Sequence, residues 1–321
     1  MRYPVIWLIC LGLFSSAGIC AEKNHIRIGV MASGTLAWEL ATINNEALLE
    51  NADFDLQTVT LANQQAGKVA LQASSVDIII SDWIWVSSMR AEGSDFSFYP
   101  YSTSAGGLIV PANSTIKSVA DLQGKKLGIA GGELDKNWSL LQALALKQGL
   151  NLNQSVEKSF GAPPLLNQQL ASQRIDALLT YWQFAARLSA QGYRQILSGE
   201  EVVHQLGINE SVPSLGYVFK QSWADQHKSS LQHFLHTAEA AKHKLCDSDV
   251  AWQKIVNLTE ADDTNTQQQL RTHYCQGIIK EWGAPQQKAA ASIYQILHQL
   301  DDNKLTGKSA QLQPGTFWPA N

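Results

Sequence analysis

The sequence has no surplus of basic charge and no long run of like charges. Its 24 Lys and Arg residues stand against 28 Asp and Glu residues, which gives a formal net charge of −4 at pH 7. This balance argues against nucleic-acid binding and against a charged disordered tail. The length of 321 residues is enough for two compact domains.

The common catalytic motifs are also missing. Gly-x-Ser-x-Gly, His-Glu-x-x-His and Cys-x-x-Cys are absent, and these motifs mark serine hydrolases, zinc peptidases and thiol redox proteins. Gly131-Gly132 leaves room for an anion at a predicted strand-to-helix turn, but its spacing is not that of a nucleotide-binding P-loop. We therefore predict a protein that is not an enzyme and needs no cofactor.

The histidines do not indicate a metal site. His233, His236 and His243 precede Cys246 and lie on one stripe of a predicted helix, with apolar residues on the opposite side. Such a stripe is typical of a solvent-exposed face. We therefore predict no metal ligands.

Long apolar runs are absent after the N-terminus. Arg2, the apolar run Val5–Phe14 and the small residues that follow are typical of a signal peptide, which we place at residues 1–21. The run is shorter than the ~20 residues that a membrane-spanning helix needs. Ile19 before Cys20 makes a poor lipidation signal. We predict a soluble, exported, periplasmic chain with no lipid anchor.

Cysteine is scarce, with four residues in the chain. Cys10 and Cys20 belong to the predicted signal region, which leaves Cys246 and Cys275. An even number of cysteines in an oxidising compartment favours a disulfide between them, and two buried free thiols are the alternative.

One apolar stretch occurs twice. Residues 75–85, which include Asp77-Ile78-Ile79-Ile80-Ser81, are echoed by residues 174–182 at an offset of 99, because Asp77 aligns with Asp176 and Trp83 with Trp182. Strand-like runs alternate with helix-like segments from residue 25 onward. This alternation indicates an α/β chain with two similar lobes, in which ligands lie outside the carboxyl ends of parallel strands.

Residues 118–129 carry a resemblance to a known family. The phrase Ser-Val-Ala-Asp-Leu-Gln-Gly-Lys-Lys-Leu-Gly-Ile resembles the opening of the second lobe in type II periplasmic solute-binding proteins. The nearest subgroup comprises the nitrate, sulfonate, taurine and thiamine-precursor receptors of ABC importers. Thiamine-pyrimidine synthases share that fold, but their cysteine-rich motif is missing here.

The resemblance implies the architecture and the partners. Each lobe would be a mixed, mostly parallel sheet flanked by helices, with lobe I formed by 22–107 plus 215–321 and lobe II by 108–214. A two-strand hinge would use residues 105–110 and 212–219, and a helical C-terminal region would lie on lobe I. We expect a monomer that delivers a small molecule to an ABC permease and its ATPase. A subunit that feeds a sensor kinase or another periplasmic system is the alternative.

The candidate ligand-binding residues lie at the predicted strand ends. They are Ser33, Thr35, Trp38, Asp82, Trp83, Trp85, Glu133, Asp135, Trp138, Phe160, Tyr181 and Trp182. Core packing is the alternative for each tryptophan, and helix N-capping is the alternative for Asp82. We expect Trp83 and Trp182 to clamp the ligand across the cleft.

The composition of these loops favours one class of ligand. Aromatic rings and carboxylates recur there, and Lys136 is the only cation. Such loops suit a nitrogenous, cationic or heterocyclic compound, which stacks on tryptophan and meets a carboxylate. Helix N-termini could instead hold an anion such as nitrate, taurine or another sulfonate.

Overall fold

The computed structural model describes residues 24–31, 34–50, 52–300 and 304–319. The signal peptide predicted at 1–21 lies outside these ranges. The strands are β1 Asn24–Met31, β2 Phe54–Leu61, β3 Ile79–Ser81, β4 Phe96–Ser102, β5 Gly107–Val110, β6 Lys126–Ala130, β7 Glu157–Gly161, β8 Ala177–Thr180, β9 Arg194–Ser198 and β10 Leu215–Lys220. The helices are α1 Leu36–Asn45, α2 Gln64–Gln72, α3 Trp83–Ala91, α4 Lys136–Lys147, α5 Leu152–Ser155, α6 Pro163–Ala171, α7 Trp182–Ala190, α8 Gly199–Gln205, α9 Gln221–Gln226, α10 Lys228–Asp247, α11 Asp249–Ile255, α12 Thr264–Gln276 and α13 Ala284–Leu300.

Three sheets form two lobes, and the two-lobed architecture is as predicted. In lobe I, β1 pairs with β2 in parallel and β10 lies antiparallel between β3 and β4. A parallel bridge from Ile28 to Ile78 joins these two groups. Lobe II has the order β7-β6-β8-β5-β9, in which β5 runs antiparallel to both of its neighbours. Apolar side chains such as Ile28, Ile129 and Leu178 are fully buried between sheets and helices.

The internal repeat has a structural counterpart. Asp77 accepts the backbone N–H of Arg27 at 2.8 Å, and Asp176 accepts the backbone N–H of Lys126 at the same distance. Each aspartate thus fixes the start of a strand, β3 or β8, against a parallel neighbour, β1 or β6. The residues three positions earlier, Ser74 and Gln173, both adopt a left-handed conformation, with φ of 54° and 56°.

The chain crosses between the lobes at 103–106 and 206–214. These crossings overlap the predicted hinge segments, 105–110 and 212–219. Residues 107–110 are already strand β5 of lobe II, and 215–220 are strand β10 of lobe I. The predicted residue limits of the lobes stay a prediction.

The C-terminal helices contact both lobes. Helix α10 packs on α1 of lobe I, whereas α12 packs against α7 and α13 against α4 of lobe II. The predicted disulfide is confirmed, since Cys246 of α10 is bonded to Cys275 of α12. Within the described ranges, no helix combines the length and apolarity needed to cross a bilayer.

Candidate functional site

The lobes meet along the edges where their parallel strands end. Lys136, at the start of α4 in lobe II, donates to the backbone oxygen of Ser214 at 2.7 Å and to its hydroxyl at 3.0 Å. Trp83, at the start of α3 in lobe I, donates its indole N–H to the backbone oxygen of Pro213 at 3.0 Å. Both contacts end on the second crossing, so the loops after β3 and β6 converge there.

Asp82 forms the lobe I side of this edge. Its Oδ1 accepts the backbone N–H of Trp85 at 2.8 Å, which caps α3, so the N-cap alternative holds. Its Oδ2 lies 3.8 Å from the ammonium of Lys68 on α2. The carboxylate therefore already has a cationic neighbour.

Asp135 forms the lobe II side of this edge. It caps α4 by accepting the backbone N–H groups of Asn137 and Trp138 at 2.9 and 3.2 Å. Burial raises the pKa of Asp135 to about 6, although those hydrogen bonds and Lys136 oppose the shift. Burial and the charge of Asp135 also raise the pKa of Tyr181.

Gly131 makes this arrangement sterically feasible. Its φ is 93°, and a Cβ at this position would lie 2.6 Å from the Tyr181 hydroxyl oxygen and 3.0 Å from Oδ2 of Asp135. No side chain fits there, so glycine lets the loop after β6 approach both groups.

Lys136 lies between the two carboxylates. Burial lowers the pKa of its ammonium, and the charges of Asp82 and Asp135 act in the opposite direction. The edge therefore holds two cations, Lys68 and Lys136, opposite two acids. Lys136 belongs to these loops, as expected, and helix α2 adds Lys68 beside Asp82.

A cavity of about 550 Å³ adjoins this edge at the two crossings. Trp83, Lys136 and Trp182 line it together with residues of α8, α12 and both crossings. Its polar lining includes Ser104, Asn137, Gln195, His204, His273 and Gln276. Burial lowers the pKa of His273, which favours its neutral form.

The start of α7 offers unpaired polar groups. No side chain caps this helix at Tyr181, and the buried hydroxyl of Thr180 has no hydrogen-bond partner among the described residues. Free N–H groups at a helix N-terminus, together with a hydroxyl, can bind an acidic group.

Comparison with known proteins identifies the central part of the chain. Residues 97–247, just under half of the sequence, match the family model described as NMT1/THI5 like. The chain carries an NMT1/THI5-like domain. This domain contains Asp135, Lys136 and Trp182, whereas Asp82 and Trp83 precede it. A search of curated proteins finds no significant match.

The chain has the α/β fold of solved sulfonate-binding proteins. The alkanesulfonate-binding protein SsuA from Xanthomonas axonopodis pv. citri, bound to MOPS, matches with a TM-score of 0.73 and 19% identity, over 94% of this chain and 100% of that one. The aliphatic sulphonate binding protein SsuA from Escherichia coli matches with a TM-score of 0.73 and 20% identity, over 92% of this chain and 98% of that one. The desulfurization enzyme DSZB matches less closely, with a TM-score of 0.55 and 16% identity, over 87% of this chain and 93% of that one.

The tryptophans differ in their surroundings. Trp83 and Trp182 both line the cavity. Trp83 packs on Phe317, and Trp182 packs on Trp38 and Tyr274. Their role as a clamp on the ligand stays a prediction. Trp38, Trp83 and Trp138, which are 3%, 1% and 2% exposed, lie in the core, as the core-packing alternative stated. Trp85 stacks on Phe96 within lobe I.

The other predicted site residues are distributed around the edge. Thr35 is buried with its hydroxyl 3.1 Å from that of Tyr101, while Glu133 and Phe160 are exposed. Ser33 lies outside the described residues. Contact with ligand stays a prediction for all of these side chains. Lys68, Ser104 and the two histidines of the cavity were not predicted from the sequence, because helices and crossings supply them rather than strand ends.

Proposed function

We propose that the protein is an extracytoplasmic receptor that binds one small organic solute between its lobes and presents it to an ABC permease. The observation that carries the proposal is the convergence of charged strand-end residues from both lobes beside a 550 Å³ cavity that both crossings line. Solute sites of this size typically lie between domains. The signal peptide predicted at residues 1–21 supports export.

The preferred ligand is a nitrogenous compound with a flat body. Asp82 and Asp135 offer carboxylates to an amino group, and the half-buried ring of Trp182 offers a stacking surface. Lys68 and Lys136 partly neutralise those acids, so a bare cation would be held less well than a compound that also carries acceptors.

A sulfonate is the second candidate. It is favoured by the uncapped start of α7, by the free hydroxyl of Thr180 and by the two lysines. The names of the two SsuA structures support it as well. A sulfonate would need its oxygens at the α7 N–H groups rather than at Asp82.

A thermal-shift screen with amines, nitrogen heterocycles and sulfonates tests the proposal. Stabilisation by the first two classes, reduced in Asp82→Asn, supports the preferred ligand. Stabilisation by sulfonates alone, reduced in Lys68→Met, selects the second candidate. If no class shifts the melting temperature by more than it shifts that of a protein lacking this fold, the receptor proposal is contradicted.

A further inference from the structure

A fully buried carboxylate lies beneath the cleft. Glu39, in the first turn of α1, accepts the hydroxyl of Tyr274 at 2.9 Å on Oε1 and that of Tyr217 at 3.2 Å on Oε2. The ammonium of Lys242 on α10 lies 3.9 Å from Oε1. The exposed fractions of Glu39 and Lys242 are 0% and 7%.

Burying the charged groups of this cluster carries a cost in folding free energy. Burial raises the pKa of Glu39, and Lys242 and the tyrosines only partly offset that effect. Apolar residues of similar volume often replace buried ion pairs without loss of stability. A structural role alone therefore explains the cluster poorly, and its connections suggest what else it does.

The tyrosines come from the segments that enter and leave the crossings. Tyr101 lies near the end of β4, just before the first crossing, and Tyr217 lies in β10, just after the second. Tyr101 also contacts Thr35 through its hydroxyl, and its ring lies 3.6 Å from the Lys242 ammonium. The cluster thus fixes α1 and both of these strands relative to one another.

Tyr274 extends the cluster to lobe II. Helix α12, which carries it, is tied to the first crossing because Thr103 donates its N–H to Gly277 at 2.9 Å. The ring of Tyr274 lies 6.5 Å from that of Trp182 at the start of α7. Nearby, Asn265 of α12 donates to the backbone of Ala190 at 2.9 Å. Helix α12 therefore forms part of the surface on which lobe II rests.

We propose that Glu39 is a positioning residue for lobe closure: by holding the Tyr274 hydroxyl, it fixes α12 in the place where α7 of lobe II docks. This inference deepens the proposed receptor function and rests on it. The hydrogen bond to Tyr217 does not have that role, because the ring neighbours of Tyr217, Tyr101 and Phe234, lie on lobe I.

The two tyrosines provide a matched pair of variants. Tyr274→Phe and Tyr217→Phe each remove one hydroxyl from the same carboxylate and keep the ring. Spin labels on cysteines introduced at the exposed Gln65 of α2 and Gln168 of α6 report the distance between the lobes. With no solute added, Tyr274→Phe should lower the ratio of short to long inter-lobe distances, which is the ratio of closed to open molecules, about fivefold. One net hydrogen bond changes an equilibrium constant by roughly that factor. Tyr217→Phe should leave the ratio unchanged while losing similar thermal stability.

Equal distance distributions in the two variants would overturn the proposal. If Tyr274→Phe does not fold, Glu39→Gln takes its place, with Glu46→Gln as its control. Glu46 lies just after α1 and forms an exposed ion pair with Lys254 at 2.8 Å. A shifted ratio in Glu39→Gln alone supports the role of Glu39, and no difference between the two overturns it. Because no solute is added, failure of the receptor proposal would appear separately, as an absence of binding in the thermal-shift screen.

Discussion

Asp82 and Asp135 show how one residue type serves two purposes at a strand end. Each caps the helix that follows it, and an aspartate at that position stabilises the helix by about 1 kcal/mol. The capping geometry also fixes each carboxylate at the edge between the lobes. Capping and ligand contact are therefore compatible for these residues.

Asp135 should make stability depend on pH. Its folded pKa, about 6, exceeds the ordinary value of 3.8, so the folded state binds the proton more tightly than the unfolded chain does. The contribution of Asp135 to stability is therefore fully present below about pH 4 and is lost as the pH rises through about 6. Asp135→Asn keeps the cap without the charge. Relative to the wild type, its unfolding free energy should rise by about 1–2 kcal/mol between pH 4 and pH 8, a value reduced for solvent screening.

Urea unfolding at several pH values measures this difference, and Asp263→Asn is the control. Asp263 caps α12, and its hydrogen bonds to Thr266 lower its pKa, so the difference should have the opposite sign. If the difference in unfolding free energy between Asp135→Asn and the wild type does not change with pH, the pKa of Asp135 is ordinary.

Trp182 is the aromatic residue expected to contribute most to affinity. It lines the cavity and is only half-buried. Trp182→Ala should weaken binding of the solute found in the screen at least about tenfold, as measured by titration calorimetry. Trp223→Ala removes a ring that stacks on His227 away from the cavity and should leave affinity unchanged. An unaltered affinity in Trp182→Ala would remove that residue from the site.

At the scale of elements, the repeated strand entries explain why the sequence predicts the fold so well. Asp77 and Asp176 make the same backbone contact, and the apolar runs that follow both enter a sheet. Local patterning of this kind depends on neighbours in sequence. The position of α12 against α7 depends on packing between segments about 80 residues apart, and the sequence pattern gave no sign of it.

The left-handed turn before the second repeat should tolerate glycine. Gln173 is exposed and has a φ of 56°, a conformation that disfavours residues with a side chain. Gln173→Gly should raise the unfolding free energy by about 0.5 kcal/mol, because relief of strain exceeds the entropy cost of glycine. Gln168→Gly, within α6, should instead lower it by about 1 kcal/mol. Chemical denaturation compares the two, and destabilisation by Gln173→Gly would contradict the turn geometry.

The disulfide should contribute to the stability of the C-terminal helices. Cys246 and Cys275 are separated by 29 positions, and closing a loop of that length stabilises the folded state by about 3 kcal/mol on the chain-entropy model. The double variant Cys246→Ser/Cys275→Ser should lose that amount in urea unfolding. Dithiothreitol should produce the same loss in the wild type and none in the variant. If dithiothreitol does not change the urea midpoint of the wild type, the disulfide bond is contradicted.

At the scale of the whole molecule, the fold was predictable and the site was predictable only in part. Strand and helix alternation and the family phrase at residues 118–129 indicated two lobes, and the strand-end rule located Asp82, Asp135 and Lys136. The cavity lining was not predictable, because His204, His273 and Ser104 come from distant segments that meet only in three dimensions. Burial likewise separates Trp138 from Trp182, although both lie at the start of a helix.

Native mass spectrometry of the protein purified without denaturation tests the central claim most directly. The account predicts one small organic molecule per chain, released unchanged when the protein is unfolded and rebound in the same ratio by the refolded protein. Conversion of that molecule into a product on incubation would indicate an enzyme. That result, or a protein that neither carries nor rebinds a solute, would contradict the receptor account.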